Sequence, residues 1–90
     1  MQYKYKLNNE IEAEQFRGDG IADTIIMDNF LCDVSSEIYY LNNKIPYLKI
    51  TNKNGKICTA YTADYIIRLS PGNYIAVPYQ SFIRLYGSCG

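Results

Sequence analysis

The stretch Asp64-Tyr65-Ile66-Ile67-Arg68-Leu69-Ser70-Pro71-Gly72-Asn73-Tyr74-Ile75-Ala76-Val77 constrains the fold more than any other part of the chain. It predicts a β-hairpin. Tyr65, Ile66, Ile67 and Leu69 before the turn, and Tyr74, Ile75 and Val77 after it, suit a pleated, half-buried surface. Pro71 presets φ at the second turn position, and Gly72 supplies the positive φ that a type II turn needs next. The core is expected to form on this hairpin.

The rest of the chain reads mostly as strand. Tyr3–Leu7 and Ile11–Phe16 predict two strands around Asn8-Asn9-Glu10. Setting Leu7 opposite Ile11 places Lys6 against Glu12 and Lys4 against Glu14, and opposite charges across a ladder favour that register. Arg17-Gly18-Asp19-Gly20 is a loop. In the next stretch Ile21, Ala22, Ile25, Ile26 and Phe30 fall on one helical stripe, so a helix over Ile21–Leu31 is expected, capped by Asp19 or Gly20. Its β-branched content leaves a buried strand as the alternative. Glu37–Leu41 is a short strand, and Pro46 is expected to delay the next one. Tyr47–Thr51 and Lys56–Tyr61 flank Asn54-Gly55, a hairpin signal. A two- or four-residue loop there sets Leu48 opposite Tyr61, Ile50 opposite Thr59 and Asn52 opposite Ile57. Ser81–Tyr86 is either a last strand or a single helical turn.

With 90 residues, the chain predicts one domain, residues 1–90, of limited core size. The expected class is α+β: a small twisted antiparallel sheet of five to seven strands, able to curl toward a barrel, with one helix. No apolar run has the length of a membrane span. The N-terminus lacks the apolar segment of a signal peptide, so a cytoplasmic location is expected.

Several residue types needed for catalysis are missing. There is no histidine, the commonest general base and metal ligand. Cys32, Cys58 and Cys89 form no CxxC pair and read as free thiols in a reducing compartment. Glu12 and Glu14 are accounted for by ion pairs with Lys4 and Lys6. No phosphate-binding glycine loop is present. The expectation is a protein that is not an enzyme, with no cofactor and no metal.

Two features point to binding instead. Formal net charge is zero, but the acids cluster between Glu10 and Glu37 and the bases between Lys44 and Arg84. The ten tyrosines exceed what a small core needs, and tyrosine is enriched at interfaces. Three binding modes follow. Asp23, Asp28, Asp33 and Glu37 can form an acidic face that mimics phosphates in the basic groove of a partner protein. Alternatively, Tyr61 and Tyr79 stack on the base of an anionic nucleotide held by Arg68 and Arg84 in a homo-oligomer. In the third mode, exposed strands pair with neighbours in a larger structure. Direct nucleic-acid binding is disfavoured by the zero net charge.

Glu12-Ala13-Glu14-Gln15-Phe16 and Asp64-Tyr65-Ile66-Ile67-Arg68, with Gly72, Phe82 and Tyr86, resemble a family of small proteins encoded by tailed bacteriophages. The likeness covers the first 16 and last 40 residues, roughly. Thr62-Ala63 stands where that family has Pro-Gly, and Val77 near a position where it often has Cys. The resemblance implies a phage or prophage origin, a small β-rich fold and no catalytic residues. With the acidic face, it leads to the expected function: a phage-encoded inhibitor that contacts a bacterial host defence factor, as anti-CRISPR proteins do, in the host cytoplasm. A nucleotide sponge and a phage structural or assembly accessory are the alternatives.

Overall fold

The structure is a computed structural model and describes residues 2–4 and 10–86, with side chains over 12–85. It is an α+β fold of two antiparallel sheets. Strands β1 (Gln2–Lys4), β2 (Glu10–Gln15), β6 (Tyr65–Ser70) and β7 (Asn73–Val77) form one sheet in the order β1-β2-β6-β7. Strands β3 (Ser35–Leu41), β4 (Ile45–Thr51) and β5 (Ile57–Tyr61) form the other, in the order β3-β4-β5. The single sheet expected from the sequence is therefore divided, and the two sheets do not close into a barrel.

The β6–β7 hairpin is the centre of the molecule. Its turn carries Pro71 and Gly72, and Gly72 has φ +75°. Its positive φ favours glycine, and a Cβ there would also force the Lys53 side chain to move. Tyr65, Ile66 and Ile67 are buried in succession, because β6 is covered on both faces. Ile66 joins Phe16, Ile26, Leu31, Leu48, Ile50, Ala60 and Tyr74 in the main core. Tyr65 and Ile67 join Ala13 and Phe82 in a second core on the opposite face.

That second core exists because the C-terminal segment is a helix of two turns, α2 (Tyr79–Tyr86), longer than the strand or single turn expected. Pro78 precedes it, and the Phe82 N–H donates to the Pro78 carbonyl at 2.9 Å. The Phe82 ring lies flat on Tyr65, with centroids 3.8 Å apart and planes 5° from parallel.

The segment after the Arg17–Gly20 loop is helical, as expected, and only part of the expected stripe faces the core: Ile26 and Phe30 pack there, whereas Ile21 and Ile25 do not. It comprises α1 (Ile21–Ile25) and a π-helical turn (Ile26–Phe30), with the Leu31 N–H reaching the Ile26 carbonyl. Ile21 and Ile25 are 80% and 57% exposed, whereas Asp23 is 1% exposed. The reason is electrostatic. The Asp23 carboxylate accepts the backbone N–H groups of Arg17, Gly18 and Gly20 at 3.1–3.2 Å, and this fixes the helix's rotation about its axis. Asp19 caps the start by accepting the Ala22 N–H at 2.9 Å.

Two registers differ from expectation. β1 pairs with β2 as Gln2↔Glu12, Tyr3↔Ile11 and Lys4↔Glu10, so Lys4 does not face Glu14. Glu12 finds its cation on its other neighbour, β6, where it lies opposite Arg68. Tyr5, Lys6 and Leu7 of the expected strand fall outside the described residues. In the second sheet, β4 and β5 pair as Tyr47↔Tyr61, Leu48↔Ala60 and Ile50↔Cys58, one residue from the expected alignment. Asn54-Gly55 does not form a two-residue turn. The Gly55 N–H donates to the Asn52 carbonyl and the Asn52 N–H to the Lys56 carbonyl, both at 2.9 Å, with Gly55 at φ +87°. This is a three-residue loop with a glycine bulge. The slip changes which side chains share a face with Leu48 and Ile50.

Pro46 does not delay β4 but lies within it, opposite Tyr40. It sits beyond the last β5 partner, where β4 has a neighbour on one side only and a missing N–H is tolerated.

Candidate functional site

The register of the three-stranded sheet decides its two faces. Leu48, Ile50 and Ala60 point into the main core. Tyr39, Tyr47 and Tyr61 therefore share the outer face, aligned by the pairs Tyr39↔Tyr47 and Tyr47↔Tyr61. Their rings form a ladder with centroids 5.8 Å apart at each step and planes 24° and 31° apart. The Lys49 ammonium lies 5.0 Å from the Tyr39 ring centroid, a cation–π contact at one end of the ladder. Leu41 and Ile45 flank it on the same face and are 43% and 53% exposed; Ile57, 62% exposed, shares that face but lies two pairs away, beyond Lys49 and Thr59. The result is an aromatic and apolar surface laid across three paired strands.

The rings lie side by side and Tyr47 is flanked by both of its neighbours, so the ladder does not present a row of free ring faces on which bases could stack. What it offers is a flat, preorganised area whose tyrosines have already lost much of their rotamer freedom.

The acidic residues expected to form a phosphate-mimicking face are not brought together. Asp23 is buried and committed to the 17–20 loop. Asp33 is half-buried and holds the β6–β7 turn: its Oδ2 accepts the Gly72 N–H at 2.7 Å, and its Oδ1 lies 2.6 Å from the Tyr74 hydroxyl. Only Asp28, on the π-helical turn, and Glu37, on β3, are exposed. Asp23 and Asp33 are structural acids, and the four-residue acidic site does not exist as one surface.

The nucleotide-binding set fares no better. Tyr61 ends β5, Arg68 lies on β6, and Tyr79 and Arg84 lie on α2. Tyr79 stacks on Tyr65 at 6.2 Å. Arg68 is engaged on the core side of its sheet: its Nη1 donates to Glu12 Oε1 at 3.1 Å and its Nη2 lies 3.9 Å from Asp33 Oδ2. Two carboxylates already neutralise it, leaving little charge for a phosphate.

Glu12, Arg68, Asp33 and Tyr74 form one linked cluster. The hydrogen bond from Tyr74 lowers the Asp33 pKa below its ordinary 3.8, against the opposing effect of burial. Burial, reinforced by the bond to Asp33, pushes the Tyr74 phenol from 10.0 up to about 12. The Tyr74 hydroxyl also lies 2.8 Å from the Phe30 carbonyl, so its one proton is shared between two acceptors. Asn52 ties the sheets together from the other side: its amide accepts the Tyr74 N–H and donates to the Tyr74 carbonyl, at 2.8 and 2.9 Å. These groups lock the fold and leave the tyrosine face as the surface with material to spare.

Sequence reasoning counted Tyr39, Tyr47 and Tyr61 as surplus to the core but did not align them, because the expected register set Leu48 against Tyr61. Asn52 carried the missing signal. It shares its parity with Leu48 and Ile50, so it turns inward and needs buried partners. An Asn-Gly turn immediately after it does not provide them.

Among the described residues, no group of three or more His, Cys, Asp or Glu side chains is placed to hold a metal ion. No described helix is long and apolar enough to cross a membrane. No family model, curated protein or solved structure matches the chain.

Proposed function

We propose that this protein works by non-covalent binding to another protein, and that the tyrosine face of the three-stranded sheet is its contact surface. One observation carries the reading: Tyr39, Tyr47 and Tyr61 stack on one another in the open, beside exposed Leu41 and Ile45. A contiguous exposed apolar patch of this kind is uncommon on a small protein unless something covers it. The likeness of Glu12–Phe16 and Asp64–Arg68 to a tailed-phage family supplies the setting, a bacterium under infection. The partner is then a bacterial host protein, and the function is inhibition of a host defence factor, with aromatic contacts in place of the phosphate mimicry that the acidic stretch suggested.

The test is capture of host proteins on immobilised wild-type protein, compared with two variants. Tyr47→Asp puts a charge in the middle of the ladder and is expected to lose the partner. Asp28→Lys, on the exposed acid of the π-helical turn, is expected to keep it. The opposite pattern would return the function to the acidic residues, and equal retention by both would remove the tyrosine face from consideration.

A further inference from the structure

The tyrosine face ends at an unusual edge. β3 is the outer strand of its sheet, and it is regular: all seven residues, from Ser35↔Thr51 to Leu41↔Ile45, pair with β4 without a bulge. Its other edge has no strand neighbour among the described residues. Such edges normally carry a proline, a lysine, a bulge or a covering segment that prevents further pairing. β3 has the sequence Ser35-Ser36-Glu37-Ile38-Tyr39-Tyr40-Leu41, with no proline, no lysine and no arginine. Its one charge, Glu37, lies opposite Lys49 of β4, and Tyr39, Tyr40 and Leu41 are 40%, 59% and 43% exposed.

We propose that β3 pairs antiparallel with β3 of a second copy, about a two-fold axis at Ile38. This inference concerns the strand edge and does not depend on what the tyrosine face binds. Self-complementarity of the strand supports it. Only one antiparallel register pairs all seven residues, and it sets Ile38 against Ile38, Glu37 against Tyr39, Ser36 against Tyr40 and Ser35 against Leu41. The same register keeps the two Glu37 carboxylates off each other, whereas a shift centred on Glu37 would oppose them directly. It also matches odd residues with odd, so the tyrosine faces of both copies fall on one side of a continuous six-stranded sheet.

In that sheet the row Tyr61-Tyr47-Tyr39 of one copy runs on into Glu37, Lys49 and Thr59 of the other. Each Tyr39 then lies between its own Tyr47 and the second copy's Glu37. Homodimerisation through an isologous patch is the commonest route to a soluble oligomer. A contact of one strand edge is small beside the roughly 1,200–2,000 Å² of a stable interface, so this dimer should dissociate on dilution.

The test uses sedimentation velocity on the full chain from about 10 μM to about 1 mM, a range in which a weak dimer forms and dissociates. Wild type is expected to move from the 10.4 kDa monomer toward twice that mass. Tyr39→Glu opposes two acids at each of the two symmetric pairs and should remain monomeric, while Tyr39→Lys opposes unlike charges. The two should differ by about tenfold or more in dissociation constant. The double variant Tyr39→Glu/Glu37→Lys should regain the dimer. Circular dichroism confirms that each variant is folded; Tyr39 is exposed enough for either charge to be tolerated. Wild type that stays monomeric throughout would overturn the proposal, and so would Tyr39→Glu and Tyr39→Lys behaving alike.

Discussion

The two sheets are built from the same residue types and are finished differently. In the four-stranded sheet, the face away from the main core is closed by α2, whose Phe82 covers Tyr65. In the three-stranded sheet, the corresponding face carries Tyr39, Tyr47 and Tyr61, with no helix over them among the described residues. Tyrosine serves as core on one side and as surface on the other. The difference shows that aromatic content alone does not locate a working surface; what matters is whether the fold has a layer left to cover it. The C-terminal helix α2 serves the four-stranded sheet.

The largest expected effect tests that contrast directly. Phe82→Ala removes a fully buried ring from between α2 and β6 and should cost about 3–5 kcal/mol. That is enough to unfold much of a domain of this size. Tyr47→Ala, at the centre of the open ladder, removes two cross-strand ring contacts and should cost only about 1 kcal/mol. Urea denaturation of the two variants gives the comparison. A cost at Tyr47 as large as that at Phe82 would make the ladder a structural element and break the contrast.

The second prediction concerns what joins the halves. Asp33, in the segment leading into β3, is bound to Gly72 and Tyr74 of the β6–β7 hairpin. Its lowered pKa contributes stability that is fully present above its ordinary 3.8 and is lost as pH falls through the lower folded value. Tyr74 acts in the opposite direction: its raised pKa contributes stability below 10.0 that is lost as pH climbs toward about 12. Melting temperature against pH should therefore decline on both limbs. Tyr74→Phe should lower the plateau and flatten both declines, the alkaline one because the phenol is gone and the acid one because Asp33 loses its main donor and its folded pKa rises toward the unfolded value. An alkaline limb unchanged in Tyr74→Phe would place the titration elsewhere.

What the sequence revealed follows the same division. The β6–β7 hairpin was legible because its turn residues, Pro71 and Gly72, and its apolar runs agree with each other. The helical segment was legible as a helix and its Ile26 and Phe30 as core-facing, but not the exposure of Ile21 and Ile25, because Asp23 looks like a surface acid until the loop N–H groups that it accepts are in place. The tyrosine ladder depended on a register set by Asn52 and its partner Tyr74, 22 residues away. Local turn propensity at Asn54-Gly55 carries no information about that contact. α2 was legible only as an alternative, because what favours it is Tyr65, a distant partner for Phe82.

The smallest expected effect sits at the joint between the two sheets. Tyr61 to Asp64 link β5 to β6 in a tight turn, closed by the Asp64 N–H to the Tyr61 carbonyl at 2.9 Å. Ala63 occupies the third position with φ +79°, the conformation a type II turn reserves for glycine. The surroundings hold it there: its N–H donates to the Phe16 carbonyl at 2.8 Å, and its carbonyl accepts the Gln15 amide at 3.1 Å. A side chain in left-handed conformation costs about 1–2 kcal/mol, and glycine gives back part of that gain through the greater freedom of its unfolded chain. Ala63→Gly should therefore stabilise the protein by roughly 0.5–1 kcal/mol, a rise of a few degrees in melting temperature. Because the turn connects the covered sheet to the open one, the gain should appear in a single cooperative transition. Two separate transitions, with only one of them shifted, would show that the sheets unfold independently and that the contrast between them extends to their stability.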